Sequence, residues 1–199
     1  MRNVFQPLMI SLLIALAGPA VAQETEEPAD PAADLSMGTP VNEGEPQEGQ
    51  PYIRDEYGDW ALRCLRAPEG QADPCQLYQL LLDAEGNAVA EISLFPLPEG
   101  SRAAAGATIV VPLETLLTEN LIMSVDGGQT REYPFTFCNR AGCVARIGFS
   151  QADIDLFKRG AQAQLTMVPA AAPDQTVDLA ISLNGFTAGY DAPSNVAAE

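Results

Sequence analysis

From Tyr52 onward the apolar residues of this chain recur at every second position, in short runs broken by turn signals. That period constrains the fold more than any other feature, because a pleated strand sends successive side chains to opposite faces. Trp60, Leu62 and Cys64 alternate with Ala61, Arg63 and Leu65. Cys75 to Leu82 and Ala88 to Phe95 flank Asp83-Ala84-Glu85-Gly86-Asn87, which reads as a hairpin with a five-residue loop. Ala107 to Val111 stops at Pro112, and Leu121 to Val125 stops at Asp126-Gly127-Gly128. Tyr133, Phe135 and Phe137 alternate up to Cys138, and Val144 to Phe149 is again extended. Ala161 to Met167 and Val177 to Leu183 alternate most cleanly of all.

One helix interrupts this rhythm. Ser150 is a good N-cap with Asp153 three residues on, and Phe149 and Ile154 occupy the staple positions. Acids at the start, Lys158 and Arg159 at the end and Gly160 as the stop suit the helix dipole. Eight or nine short strands with one short helix and no βαβ rhythm predict an all-β fold, an antiparallel sandwich or flattened barrel, over residues 52–191. An outer-membrane barrel would need aromatic girdles, whereas aromatics are only 7% of this chain.

Before the strands the composition changes twice. Arg2, the apolar stretch Leu8 to Leu16 and Ala20-Val21-Ala22 make residues 1–22 read as a secretory signal peptide, with a mature chain starting at Gln23 and carrying no transmembrane segment. Residues 23–51 read as a disordered linker: Glu24, Glu26, Glu27, Asp30, Asp34, Glu43, Glu45 and Glu48 are interspersed with prolines and joined by no Lys or Arg. Residues 192–199 are expected to be a flexible tail. The address implied is export from the cytoplasm.

Export decides how the cysteines are read. Cys64, Cys75, Cys138 and Cys143 are an even set in an oxidising compartment, so two disulfides are expected, with three connectivities formally available. A hairpin closed at Asn139 to Gly142 would set Cys138 opposite Cys143, within bridging distance. We expect both bridges to be local, Cys64 with Cys75 and Cys138 with Cys143. Zinc would want C-x-x-C knuckles, and none is present.

Charge and composition then narrow the function. A net charge of −17 argues against a grip on nucleic acid or an anionic membrane. The chain has no His, which removes the usual general base and the Ser-His and Cys-His nucleophile pairs. No catalytic residue, metal ligand or cofactor is assigned. The favoured class is a non-catalytic envelope module that binds a protein or surface glycan, with the loop tip at Arg140 as its candidate contact. Arg140 is one of the few cations of the mature chain, and a disulfide at the loop's base would hold it outward. The alternative is an envelope hydrolase working with paired carboxylates, such as Asp153 with Asp155 or Asp126 with Glu132.

Several motifs in fixed order bear on this choice. Tyr57-Gly58-Asp59-Trp60, Cys64, Cys75-Gln76-Leu77-Tyr78-Gln79, Val125-Asp126-Gly127-Gly128, Cys138-Asn139-Arg140-Ala141-Gly142-Cys143-Val144-Ala145 and Ser182-Leu183-Asn184-Gly185-Phe186-Thr187 together resemble the invasion-associated locus B family. The resemblance spans about Tyr57 to Gly189. It implies an exported, β-rich periplasmic domain, with association to the outer envelope open, from a family named for a host-cell invasion phenotype, and it brings no catalytic residue with it. Where the family tends to have Pro-Gly-Leu before the Asp-Gly-Gly turn, this chain has Glu119-Asn120-Leu121, and the acidic arm is not part of the shared pattern. Each shared residue has a structural explanation: Trp60 and Phe186 as core aromatics, Gly58 with Asp59 and Gly127 in turns, and Gly185 at a bend.

Overall fold

A computed structural model of the chain describes residues 46–192, together with Ser36, Gly38 and Gly44. The expected signal peptide, nearly all of the acidic linker and most of the tail lie outside the described residues. Eleven strands follow in order: β1 (Pro51–Tyr57), β2 (Trp60–Leu65), β3 (Cys75–Leu82), β4 (Ala88–Pro96), β5 (Ala105–Val111), β6 (Leu121–Val125), β7 (Arg131–Tyr133), β8 (Phe137–Asn139), β9 (Gly142–Phe149), β10 (Gln162–Met167) and β11 (Val177–Ser182). Helix α1 (Gln151–Arg159) lies between β9 and β10, and α2 (Phe186–Tyr190) follows β11.

The strands form two separate sheets, a seven-stranded one in the order β1-β2-β3-β4-β5-β9-β8 and a four-stranded one in the order β11-β10-β6-β7. Every pairing is antiparallel. Of the two expected forms the molecule therefore takes the sandwich and not the flattened barrel. The alternating runs supply the layer between the sheets: Leu77, Leu81, Ile92, Leu94, Ile109 and Ile147 from one side, Leu121, Leu165, Leu179 and Ile181 from the other, all buried.

Three departures from the sequence reading have physical causes. Tyr133, Phe135 and Phe137 do not continue one strand. Pro134 has no N–H to give a ladder, and the chain uses it to leave β7 in the small sheet and enter β8 at the edge of the large one. Tyr133 and Phe135 pack on the core while Phe137 turns outward. The second helix, α2, is only five residues long and starts at a left-handed Gly185 without a side-chain cap, so it left no periodicity to detect. The strand count rises to eleven because of this split and because β1 is largely exposed and polar.

Both bridges are local, and both join directly opposed residues: Cys64 with Cys75 across β2 and β3, Cys138 with Cys143 across β8 and β9. The guanidinium of Arg54 lies on the buried Cys64–Cys75 bridge, donating to both sulfurs. Helix α1 begins with the expected capping box, in which Ser150 and Asp153 exchange hydrogen bonds. Its Phe157 meets Phe149 of β9 at 4.9 Å between ring centres and Phe186 of α2 at 5.4 Å, both edge to face. Phe186 in turn meets Trp60 edge to face at 5.4 Å, so one chain of rings closes this end of the sandwich.

The sheets are stitched where the β1–β2 turn meets the end of β11. The Ser182 carbonyl accepts Trp60 Nε1–H at 2.7 Å and Gln79 Nε2–H at 3.0 Å, while Ser182 N–H donates to Gln79 Oε1 at 2.8 Å. Gln79 is 6% exposed and also donates to the Asp59 carbonyl. Both N–H donors of its amide and one lone pair of its oxygen are thus used, which keeps the cost of burying the group low. Asp59 accepts the Ser182 hydroxyl at 2.6 Å, and its N–H reaches the Asn184 carbonyl at 3.2 Å. The backbones approach so closely that a Cβ on Gly185, at φ +86°, would stand 1.9 Å from the Tyr57 carbonyl oxygen. A Cβ on Gly58, at φ +58°, would meet the Asn184 carbonyl oxygen at 2.7 Å.

Replacing Gln79 with Leu removes these bonds and leaves the Ser182 N–H buried without an acceptor. At about 1 kcal/mol per neutral hydrogen bond plus the cost of an orphaned donor, the expected loss is about 3 kcal/mol. Urea unfolding reads it as a lower midpoint at unchanged slope. A loss below about 1 kcal/mol would contradict the role given to this amide.

Candidate functional site

The β8–β9 hairpin carries the candidate contact. Asn139 pairs with Gly142 and leaves Arg140 and Ala141 as a two-residue tip, tighter than the four-residue loop read from the sequence. Asn139 Oδ1 accepts the Ala141 N–H at 2.8 Å, and the Cys138–Cys143 bridge closes the base. A Cβ on Gly142 would stand 2.3 Å from the Val111 carbonyl oxygen, so the hairpin lies flat against β5. Arg140 is exposed at the end of this stiff support.

Beside the tip the outer face of the large sheet is mostly apolar, interrupted by Glu91. Cys143 and Ala145 face the core, so Val144 between them lies on the outer phase, where its neighbours bury it to 5% exposure; it pairs with Val110 on one side and Phe137 on the other, and Val110 pairs with Glu91, which pairs with Leu80. Leu80 and Leu82 of β3 and Phe137 of β8 are each 47% exposed, a high value for large apolar side chains on one sheet. An open groove of about 390 Å³ runs between Leu80, Val89, Val110, Pro112 and Ala141, directly beneath the Arg140 tip. The next row along the sheet is polar. Arg63 lies 3.8 Å over the Tyr78 ring and 3.6 Å from Glu91, while Tyr78 donates to Glu91 at 3.1 Å and Arg146 is exposed.

Sequence reasoning placed Arg140 but missed this face. The signal was available in Leu80-Leu81-Leu82, where apolar residues occupy both phases of a two-residue period and so cannot all reach one core. Gln79 was equally legible, as the one polar residue on the inward phase of Cys75, Leu77, Gln79 and Leu81.

The carboxylates considered for hydrolysis are each engaged separately. Asp153 is buried, accepts from Ser150 and faces Arg131 at 3.0 Å, while Asp155 takes a bond from Gln151 on the helix surface. Asp126 accepts the N–H groups of Ala161 and Gln162, and Glu132 accepts from Asn120. The cavity beside Arg131, Tyr133 and Asp153 is about 90 Å³, well below the roughly 300 Å³ at which small-molecule sites begin. Burial and the nearby Asp153 raise the Tyr133 phenol above its ordinary range. Gly127, at φ +68°, forms the β6–β7 turn with Asp126. No helix among the described residues is long and apolar enough to cross a membrane, and no group of three or more His, Cys, Asp or Glu among them could hold a metal.

Fold and surface together define a disulfide-stapled antiparallel sandwich with one open sheet face. Residues 60–194 match the model of the Invasion associated locus B (IalB) protein family, and the chain belongs to that family. It is 24% identical to Invasion protein B of Bartonella bacilliformis over 189 residues, 94% of either chain. An Invasion protein B homolog of Brucella abortus is 25% identical over 144 residues, covering 72% of this chain and 80% of the homolog. The crystal structure of invasion associated protein B from Bartonella henselae superimposes with a TM-score of 0.57 at 25% identity, over 67% of this chain and 89% of that one.

The family match opens at Trp60, yet Tyr52 outside it organises a loop inside it. The Tyr52 hydroxyl donates to Asp73 at 2.5 Å, and Asp73 also accepts the Ala67 N–H and faces Arg66 at 3.0 Å, which fixes the segment between Cys64 and Cys75. The Tyr52 bond is the largest of the effects that hold the Asp73 carboxyl below its ordinary value, followed by the Ala67 N–H. Because the folded value is depressed, the contribution to stability is present above the unfolded carboxyl range and is lost as pH falls through the folded value. Replacing Tyr52 with Phe is expected to raise the Asp73 pKa in an NMR titration and to shift that loss to higher pH; an unchanged titration would contradict the assignment.

Proposed function

We propose that this chain is an exported, non-catalytic envelope protein that binds a partner protein through the Arg140 tip and the apolar face beneath it. The observation that carries this reading is the exposure of Leu80, Leu82 and Phe137 beside a stiff tip bearing an unpaired cation. Large apolar side chains exposed around one groove mark a contact site, and a preformed loop binds with little ordering cost. Export and a periplasmic address are supported by the signal-like residues 1–22 and by two disulfides, which persist in oxidising compartments. The relatives are named for invasion, and in this reading the same face would serve a contact made at the envelope during such a process. The hydrolase alternative lacks a comparable observation, since each of its carboxylates has its own partner.

Chemical crosslinking in intact envelopes tests the proposal. Arg140→Ala, with folding verified by circular dichroism, is expected to reduce the partner crosslink about tenfold, as loss of an interfacial Arg anchor does. An unchanged crosslink profile in a folded variant removes the tip from the functional surface.

A further inference from the structure

The large sheet ends at β8, which has no strand on its outer side. Residues opposed in an antiparallel ladder alternate between hydrogen-bonded pairs about 5.5 Å apart and non-bonded pairs about 4.5 Å apart. Cys138 and Cys143 stand 4.0 Å apart at Cα, so theirs is a non-bonded pair. The backbone N–H and C=O of Cys138 therefore point away from β9, off the edge of the sheet, and Cys138 is exposed. A three-residue strand would hold that posture weakly by itself; the disulfide fixes it.

Open edges invite strand pairing, and proteins usually blunt them. At the opposite edge β1 carries a register shift between Ile53 and Asp55 and the exposed acids Asp55 and Glu56. β8 is blunted by its length of three residues but has neither of these devices. It presents Phe137 on its outer face and leads straight into Arg140. The chain carries a net charge of −17, and Arg63, Arg66, Arg131 and Lys158 each face a carboxylate. Among the described residues Arg54, Arg102, Arg140, Arg146 and Arg159 face no carboxylate within ion-pair distance, and two of these five, Arg140 and Arg146, belong to this one hairpin and its strand.

We infer that the β8 edge is a strand-addition site for an extended acidic segment of a partner protein. The segment's backbone pairs with the outward N–H and C=O of Cys138, an apolar side chain rests on Phe137, and a carboxylate meets Arg140. Strand addition takes its affinity from such main-chain bonds and its selectivity from alternate side chains. The inference rests on the partner-binding reading above and deepens it by naming the mode of recognition.

The probe is a capped octapeptide alternating valine and glutamate, titrated into the isotope-labelled mature protein and followed by amide NMR. Shifts are expected to concentrate at Phe137, Cys138 and Asn139. Affinity should fall at least tenfold for Arg140→Ala, for a peptide with lysine in place of glutamate, and for a peptide N-methylated along its pairing edge. No binding, shifts centred elsewhere, or equal binding of the lysine or N-methylated peptide overturns the inference. If these fail while the envelope crosslink still depends on Arg140, edge addition is wrong and the partner-binding face stands; if the crosslink is also independent of Arg140, both fall.

Discussion

One carbonyl oxygen, that of Ser182, holds the two sheets in register. It accepts from Trp60 of β2 and Gln79 of β3 while belonging to β11, so three strands of two sheets meet at a single acceptor. A buried glutamine is costly unless its amide is satisfied, and here satisfaction is possible only if β11 ends where it does and the β1–β2 turn stands against it. The glycines at 58 and 185 follow from that demand, because a Cβ on either would push the two turns apart. Trp60 serves twice, as a donor through its indole and as a ring against Phe186.

With that seam fixed, the large sheet becomes a platform. Its inner face is spoken for by the small sheet and the aromatic chain from Trp60 to Phe149 through Phe186 and Phe157, and its outer face carries no covering element among the described residues. The two bridges stiffen opposite ends of this platform. Cys64–Cys75 secures the second and third strands under Arg54, and Cys138–Cys143 secures the last two. The cationic tip thus sits on a support that cannot readily fold away.

How much of this could be read beforehand varied with how local its cause was. The loop between Leu82 and Ala88, the limits of β6 and the capping box at Ser150 came directly from alternation and turn chemistry, because neighbouring residues decide them. The local pairing at Cys138 and Cys143 followed from hairpin geometry for the same reason. Pro134 defeated the period-two pattern, since three alternating aromatics look like one strand until tertiary structure sends the chain to another sheet. The motifs at Tyr57 to Trp60 and Ser182 to Thr187 were visible one by one, but nothing local told that residues 123 positions apart, Asp59 and Ser182, would bond. The open face went unread because Leu80 and Leu82 carry the same hydrophobicity as the buried Leu81, and only the pleat separates them.

Native-state hydrogen exchange tests most directly whether the Ser182 seam makes the two sheets one cooperative unit. Slowly exchanging amides then share a common opening free energy across units that unfold together. The account predicts that amides of β10 and β11 open with the same free energy and denaturant dependence as those of β3, β4 and β5. A lower-energy opening of β10 and β11 that leaves the large sheet protected would contradict it.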